Sequence, residues 1–431
     1  MGFSFAVKIL LATFIPVFAD EAYYYIWSLH PQLSYFDHPG AVSWLISAGH
    51  FFFPPGYSLS LRFSFLLLSF ASTLLWIKIL QDEELNENQI LVFLILAFLN
   101  PLLGPGSILA TPDVPLVFFW TLSYFCFQQI LKQHSLLWYG LLGAALGLGF
   151  CSKYHIVLFV LSGLVYLGFS KKFRDLKKAG VILTVVTGAL FCSPVFIWNS
   201  QNQWASFVFQ INHGFGESSF EWAWPLGYIF AQTLAVNPFV LQKLFSRNAT
   251  ATSPDRIFSL SQFGFFLVSS FRGVVEGNWP LTSHLHAIAN FTRVLSKKRV
   301  ILAVGYWFFI YLIAISYFVS PLSTKVRKNL INSAQLEELY PLVSRYQPLY
   351  GASYQVAALV SWKMQKNIPK LSELSRVDFY DSLPESVPKQ SAFYALKYDY
   401  SDWPLKYRRY KKTKIQSFDN TGIELYQFTY E

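Results

Sequence analysis

The sequence predicts an all-α polytopic membrane protein of about eleven transmembrane helices, followed by a small soluble α/β domain. Of the 431 residues, 53% are hydrophobic and 13% are charged, whereas about a quarter of the residues in an ordinary soluble domain carry charge. Long apolar runs recur up to about residue 320, and many approach the roughly 20 residues that a spanning helix needs. Beyond that point charged residues and prolines become frequent.

The apolar runs place the expected helices. The first run, near 3–19, contains one lysine and ends in Val-Phe-Ala, so it also fits a cleaved secretory signal. We interpret it as a retained first helix because of the residues that follow Ala19. The other helices are expected near 57–80, 89–108, 114–132, 136–151, 154–170, 179–198, 225–244, 256–271, 280–295 and 300–320.

The basic blocks predict the orientation of these helices. If the N-terminus is cytoplasmic, "KKFRDLKK" (171–178) and "SKKR" (296–299) both fall on the cytoplasmic side, as the positive-inside tendency requires. The outer side then holds the long first loop, 20–56, and everything after about Pro321. It also holds the loops 104–113, 198–224 and 272–279.

The predicted domains are therefore a transmembrane domain, 1–320, and an extracytoplasmic domain, 321–431. In the second domain "GASYQVAALVSWKMQK" is typical of an amphipathic helix. The stretches "SAFYALKYDY", "KTKIQSF" and "GIELYQFTY" are rich in aromatic and alternating residues, a pattern that predicts strands.

Charge and cysteine content exclude some classes of protein. The net charge is +10, but the lysines and arginines stand in short blocks between apolar runs and in the tail. This distribution indicates membrane orientation and not nucleic acid binding. The three cysteines, Cys126, Cys151 and Cys192, all lie inside apolar runs and predict neither a disulfide framework nor a metal site.

The first outer loop begins with an acidic pair. In "DEAYYYIWSLH" the spacing of Asp20, Tyr23 or Tyr24, and Trp27 places them on one face of a short helix. Asp20 and Glu21 either end a transmembrane helix in water or supply carboxylates to a site at the membrane boundary. The spacing leaves both interpretations open.

Two cations stand at predicted outer ends of helices. Lys153 in "CSKYH" has no acidic neighbour in sequence. It is either a lysine that reaches up to the interface or the partner of a lipid phosphate. Arg62 either pairs with a buried carboxylate, such as Asp37 or Asp113, or binds a lipid phosphate.

Asp113 follows Pro112 in "LATPDVPLVFFW", at the start of a helix. Aspartate commonly stabilises a helix N-terminus there. The predicted topology nevertheless brings Asp20, Asp37, Asp113 and Lys153 to one membrane face. Such a group of residues can bind an anionic lipid and handle a proton.

Seven motifs follow one another along the chain: "DEAYYYIWS", "LSYFDHPGAVSWLI", "SLRFSFLL", "TPDVPLVFFW", "LGLGFCSKYHIVLF", "SPVFIWNSQNQWASFVFQ" and "GNWP". Taken in this order, they resemble bacterial family 39/83 glycosyltransferases. These enzymes are relatives of the dolichyl-phosphate-mannose protein mannosyltransferases and of the aminoarabinose lipid A transferase. The resemblance covers roughly 15–320, and each motif alone is weak.

The resemblance implies the GT-C fold, with short helices in the first outer loop and an active site facing away from the cytoplasm. It implies an inverting transferase in the bacterial plasma membrane. The donor would be an undecaprenyl-type polyprenyl phosphate sugar, and the acceptor a hydroxyl or phosphate of lipid A, a glycan or a protein. The alternative function is a transporter or flippase of a lipid-linked sugar, for which charges would line a route through the helices.

The resemblance also implies roles for individual residues. His38 stands where relatives can have lysine, and the later histidines His284 and His286 receive no role. The expected site residues are Asp20, Glu21 and Asp113 for catalysis, Lys153, Arg62 and His38 for the donor phosphate, and Tyr24, Asp37, Tyr154, Asn278 and Trp279 for the substrates.

No cofactor is firmly implied. Some relatives contain a metal ion, so a divalent cation is possible, with Asp37 and a histidine such as His213 as ligands. The chain has no His-Glu-x-x-His or comparable ligand spacing. The metal therefore stays an open question at the level of sequence.

Overall fold

The computed structural model describes residues 2–215, 220–246, 253–319, 339–372, 375–384, 391–399, 403, 407–418 and 422–430. Its described part is mostly helical. The helices are α1 Gly2–Phe14, α2 Ala19–Leu29, α3 Ala41–Gly49, α4 Ser58–Asp82, α5 Glu87–Leu99, α6 Asp113–Gln133, α7 Leu136–Ser152, α8 Val157–Ser170, α9 Lys178–Gln201, α10 Ala205–Phe215, α11 Ala223–Val236, α12 Pro238–Leu244, α13 Pro254–Ser269, α14 Leu281–Thr292 and α15 Lys297–Val319.

Four of these helices are long and apolar enough to cross a membrane, within the described residues: α4, α6, α9 and Lys297–Tyr317 of α15. The bent pair α1 and α2 makes a fifth if it is one broken span. The helices α5, α7 and Tyr154–Ser170 are apolar but shorter. The chain is a multi-pass membrane protein, and the expected number of eleven spans is not confirmed.

Three predicted helices are shorter or divided in the structure, because one residue in each apolar run interrupts the helical hydrogen bonds. The first ends at Phe14, two residues before Pro16, because proline lacks an N–H and its ring clashes with the preceding turn. α5 ends at Leu99, before Pro101. The predicted helix 225–244 divides at Asn237, whose φ of 94° is incompatible with a continuous helix.

The chain divides into two compact units. The first comprises Met1–Leu11, Leu33–Val42 and Ser64–Leu312, and the second comprises Ala12–Gln32, Ser43–Phe63 and Ile313–Glu431. The predicted boundary at residue 320 stays a prediction.

In the first unit, α7 and α9 pack very closely. An added Cβ at Gly143 would lie 2.0 Å from the Thr187 hydroxyl and 2.3 Å from the Thr184 carbonyl oxygen. Only a residue without a side chain allows this approach, as at many helix pairs in membranes. The contact fixes the helix that leads to Lys153.

The second unit contains a four-stranded sheet among its described residues. The strands are β1 Leu349–Gly351, β2 Ala392–Tyr398, β3 Tyr410–Phe418 and β4 Ile423–Tyr430. The three predicted strands are thus present, together with one short additional strand. Their order across the sheet is β1-β2-β4-β3. β1 pairs parallel to β2, and the other pairings are antiparallel.

The predicted amphipathic helix of the tail spans Tyr354–Met364. Seven consecutive residues, Val356 to Trp362, are buried, so the helix is enclosed on most sides and has no broad polar face. Within this unit it packs against both α2 and β1. This packing brings Tyr354 next to the acidic pair, Asp20 and Glu21, at the start of α2.

Candidate functional site

A buried lysine, an aspartate and an asparagine meet in the first unit. The Lys153 Nζ donates to Asp113 Oδ1 at 2.7 Å, and the Asn278 amide donates to Asp113 Oδ2 at 2.9 Å. Lys153 is 5% exposed. The predicted topology brought Lys153 and Asp113 to one membrane face, but it did not name Asp113, 40 residues earlier in the chain, as the hydrogen-bond partner of Lys153.

Local structure positions each member of this group. α7 ends at Ser152, and Lys153 adopts an extended conformation before the 3-10 turn Tyr154–Ile156. The turn packs so tightly that a Cβ on Gly149 would lie 2.7 Å from Ile156. Asp113 is the first residue of α6, and the positive end of the helix dipole there stabilises its carboxylate.

Lys153 keeps hydrogen-bonding capacity. Its ammonium has three N–H donors, and Asp113 Oδ1 is its one hydrogen-bond acceptor among the described residues. Two donors of a nearly buried cation therefore remain for a ligand. Burying a cation is costly unless it is paired and hydrogen-bonded, so this geometry is typical of an anion-binding position.

Other expected residues of the first unit lie in buried or half-buried positions. Asp37 is 3% exposed, and its carbonyl oxygen accepts from the Gln210 amide. The Tyr154 hydroxyl lies 2.8 Å from Ser206 Oγ. The Trp279 indole donates to Glu276 at 3.2 Å, and its ring lies 5.5 Å from that of His155. His38 is half-buried, and its carbonyl oxygen accepts from the Tyr35 amide.

The second unit holds the acidic pair in the first turn of α2. Asp20 is exposed, and its Oδ1 lies 3.4 Å from the Tyr354 hydroxyl. Tyr23 and Tyr24 both pack against Trp27, with ring centroids 5.1 and 4.9 Å away. The pair therefore does not end a first helix in water, since it begins a second helix after the break at Pro16.

Arg62 is bound entirely by protein groups of the second unit. Its Nε donates to Glu21 Oε1 at 2.7 Å, and one terminal nitrogen donates to Glu21 Oε2 at 2.5 Å. The remaining N–H groups reach the carbonyl oxygens of Ala12, Ile15 and Pro16 at 2.7 to 2.9 Å. These oxygens need donors because α1 ends there.

This arrangement corrects three expectations. The partner of Arg62 is Glu21 and neither Asp37 nor Asp113. All five N–H donors of Arg62 are used, so none remains for a donor phosphate. Both oxygens of Glu21 bind Arg62, and Glu21 therefore positions the start of α2 instead of reacting.

Replacing Arg62 with methionine should lower the free energy of unfolding by about 3 kcal/mol, because removing one member of a buried pair leaves an uncompensated charge. Thermal unfolding in lipid measures the loss. Arg345→Met, which removes an exposed arginine of the same unit, is the matched control and should unfold as wild type does. Wild-type stability of Arg62→Met would contradict the assigned role, and adding Glu21→Gln should restore part of the loss.

The histidines without a sequence assignment have structural partners in the first unit. His284 lies 2.9 Å from the Gln232 amide oxygen, and His286 lies 3.0 Å from Asp255 Oδ1 and accepts from the Trp120 indole at 2.9 Å. All of these side chains are buried. Buried polar groups in such networks are typical of a specific core.

No group of three or more histidine, cysteine or acidic side chains within the described residues has the geometry of a metal site. The side chain of His213 lies outside the described residues.

Comparison with known proteins gives matches at the levels of family and fold. Residues 37–198 match the family described as dolichyl-phosphate-mannose-protein mannosyltransferase. The lipid A galacturonosyltransferase RgtD of Rhizobium johnstonii is 25% identical over 201 residues, which are 43% of this chain. The aligned part spans 39% of the length of that curated relative.

Two crystal structures of ArnT from Cupriavidus metallidurans are similar in fold to this chain. One is bound to undecaprenyl phosphate and the other is in the apo state. Each has a TM-score of 0.69 and covers 99% of this chain and 97% of its own, at 12% and 13% identity. At such identities the likeness establishes the fold.

Proposed function

We propose that this chain, a member of the GT-C glycosyltransferase family as its motifs indicated, is an inverting glycosyltransferase that uses a polyprenyl phosphate sugar. The acceptor is a hydroxyl or phosphate of lipid A, a glycan or a protein, on the outer face of the plasma membrane. The observation that carries the proposal is the nearly buried Lys153 ammonium, with two N–H donors left by its protein partner.

The leaving group explains why such a cation is needed. In transfer from a lipid phosphate, the acceptor oxygen forms a bond to the anomeric carbon while the bond from that carbon to the phosphate oxygen breaks. Negative charge then develops on the phosphate, which stays on the lipid. Lys153, held in place by Asp113 and Asn278, stabilises this charge without having to reorganise.

Asp113 acts in this proposal through Lys153. Both of its oxygens accept hydrogen bonds from Lys153 and Asn278, so the carboxylate orients the ammonium. It is a positioning residue and not the base.

Asp20 is the proposed base. An exposed carboxylate at the start of α2 can accept the proton of the acceptor hydroxyl as the new bond forms. The Tyr354 hydroxyl, 3.4 Å away, restricts the orientation of this carboxylate. Direct displacement inverts the anomeric carbon and needs no covalent enzyme intermediate.

The proposed substrate-binding residues are Tyr24, Asp37, Tyr154, Asn278 and Trp279, and His38 is proposed to contact the donor phosphate. Asn278 also donates a hydrogen bond to Asp113. The extracytoplasmic location of the tail, and eleven spans for the whole chain, are also part of the proposal.

The proposal is tested with the full-length chain reconstituted in lipid and supplied with a panel of polyprenyl phosphate sugars. Mass spectrometry should show one sugar leaving its carrier and one acceptor gaining the mass of that sugar. Inversion at the anomeric carbon should be visible in the product. If no donor is consumed while labelled lipid-linked sugar crosses the bilayer, the chain is a flippase and the proposal fails.

A further inference from the structure

The first unit contains an apolar cavity of about 420 Å³ that opens at its side. Trp76 and Leu285 line its inner part, while Phe3, Leu91 and Phe308 line its outer part. The last three side chains are 82%, 54% and 67% exposed. On a membrane-spanning unit, such apolar side chains face lipid tails, so the cavity opens into the bilayer.

One part of the cavity wall is polar. The Lys8 Nζ donates to Ser69 Oγ at 2.8 Å and to Ser107 Oγ at 2.7 Å, and all three residues line the cavity. Lys8 forms no ion pair with an aspartate or glutamate anywhere in the described residues. One N–H donor of its ammonium is left for a ligand.

Asp113 also lines this cavity but does not neutralise Lys8. Its two oxygens accept from Lys153 and Asn278, which leaves the charge of Lys8 without a carboxylate. An ionisable side chain within a spanning segment generally indicates a functional site. The ligand that fits this cavity therefore has an anionic group, which pairs with Lys8, attached to an apolar chain, which contacts the apolar wall.

We propose that this lateral cavity binds an anionic phospholipid of the surrounding bilayer, with its phosphate on the remaining N–H donor of Lys8 and one acyl chain along the apolar wall. Ser69 and Ser107 hold the Lys8 ammonium in place, because their own hydroxyl hydrogens are donated to Ser107 Oγ and to the Gly104 carbonyl oxygen. Basic pockets between membrane helices are known to bind anionic headgroups in this way. The cavity shares Asp113 with the proposed donor position, but Lys153 itself does not line it, and the proposal does not depend on which sugar is transferred.

The size of the cavity identifies the kind of chain. About 420 Å³ has room for about 14 groups of the size of a water molecule, at about 30 Å³ each. One acyl chain of ordinary length fills this space, whereas a long polyprenyl chain exceeds it several times over. The second acyl chain stays in the bilayer, which the side opening permits.

The experiment measures lipid binding to the delipidated full-length protein by native mass spectrometry. Phosphatidylglycerol should bind at one molecule per chain, and Lys8→Met should weaken this binding about tenfold. Phosphatidylcholine with the same chains has a compensating ammonium, so it should bind more weakly to wild type and should respond little to the substitution. If Lys8→Met does not fold, Lys8→Gln preserves a donor to Ser69 and gives the same readout.

Lys78→Met is the matched control, because it removes a lysine of α4 that is 57% exposed and paired with Asp82. It should leave phosphatidylglycerol binding unchanged. Equal binding by wild type and both Lys8 variants would overturn the proposal. Two competition results would also overturn the proposal. Displacement of the phospholipid by equimolar undecaprenyl phosphate would assign the cavity to the sugar donor. Displacement by inorganic phosphate would show that the acyl chain has no role in binding.

Discussion

Replacing Lys153 with methionine is expected to reduce the rate of sugar transfer by about 10²- to 10³-fold, the usual cost of losing one preorganised group that stabilises developing charge. The loss should appear mainly in kcat, because the phosphate gains charge as the sugar leaves. Steady-state assays with the donor identified from the panel measure the effect. Lys178→Met, an exposed lysine in the block 171–178, is the control and should retain wild-type activity.

A second substitution separates this role from a structural one. If Lys153 only neutralises Asp113, the double variant Lys153→Met, Asp113→Asn should regain activity, since no buried charge is then left unpaired. If Lys153 stabilises the phosphate, the double variant should be as slow as Lys153→Met alone. Recovery in the double variant would therefore contradict the proposed role.

Asp20→Asn is expected to lower the rate of transfer by about 10²- to 10⁴-fold, the range that general base catalysis contributes. Because asparagine has nearly the same shape and Asp20 is exposed, folding and donor affinity should be unchanged. Separate measurements of donor binding and of single-turnover transfer check both statements. The control is Asp175→Asn, which changes an exposed aspartate in the predicted cytoplasmic block.

Glu21→Gln provides a contrast with its neighbour. Glu21 is 1% exposed and binds Arg62, so this substitution should lower the thermal stability of the protein more than Asp20→Asn does. Full activity in Asp20→Asn would remove Asp20 from the mechanism. Equal loss of stability in both variants would contradict the separation of roles between the two carboxylates.

The sequence predicted the helices and strands well, because these elements depend on local periodicity. α6 and α7 begin and end within one residue of the predicted bounds, and the three predicted strands are present. Errors occurred where one residue interrupts a long apolar run. Pro16, Pro101 and Asn237 each lie inside a long apolar run, so hydropathy alone does not show where the helix ends.

The pairing of charges could not be predicted in the same way. Arg62 lies 41 residues from Glu21, and Lys153 lies 40 residues from Asp113, so no spacing rule connects them. Lys8 was visible as the one lysine of the first apolar run, but the run itself gave no sign of a cavity beside it. Ser69 and Ser107, which accept hydrogen bonds from Lys8, are not distinguished from other serines by their own segments.

The sequence by itself therefore determined the membrane class, the order of most elements and the resemblance to a family, since composition, periodicity and ordered motifs are properties of neighbouring residues. Only the tertiary structure decided that all five N–H donors of Arg62 are bound by protein groups, whereas Lys153 uses one of its three. That distinction follows from long-range packing, which places three backbone carbonyls and a carboxylate around Arg62 but a single carboxylate oxygen beside Lys153.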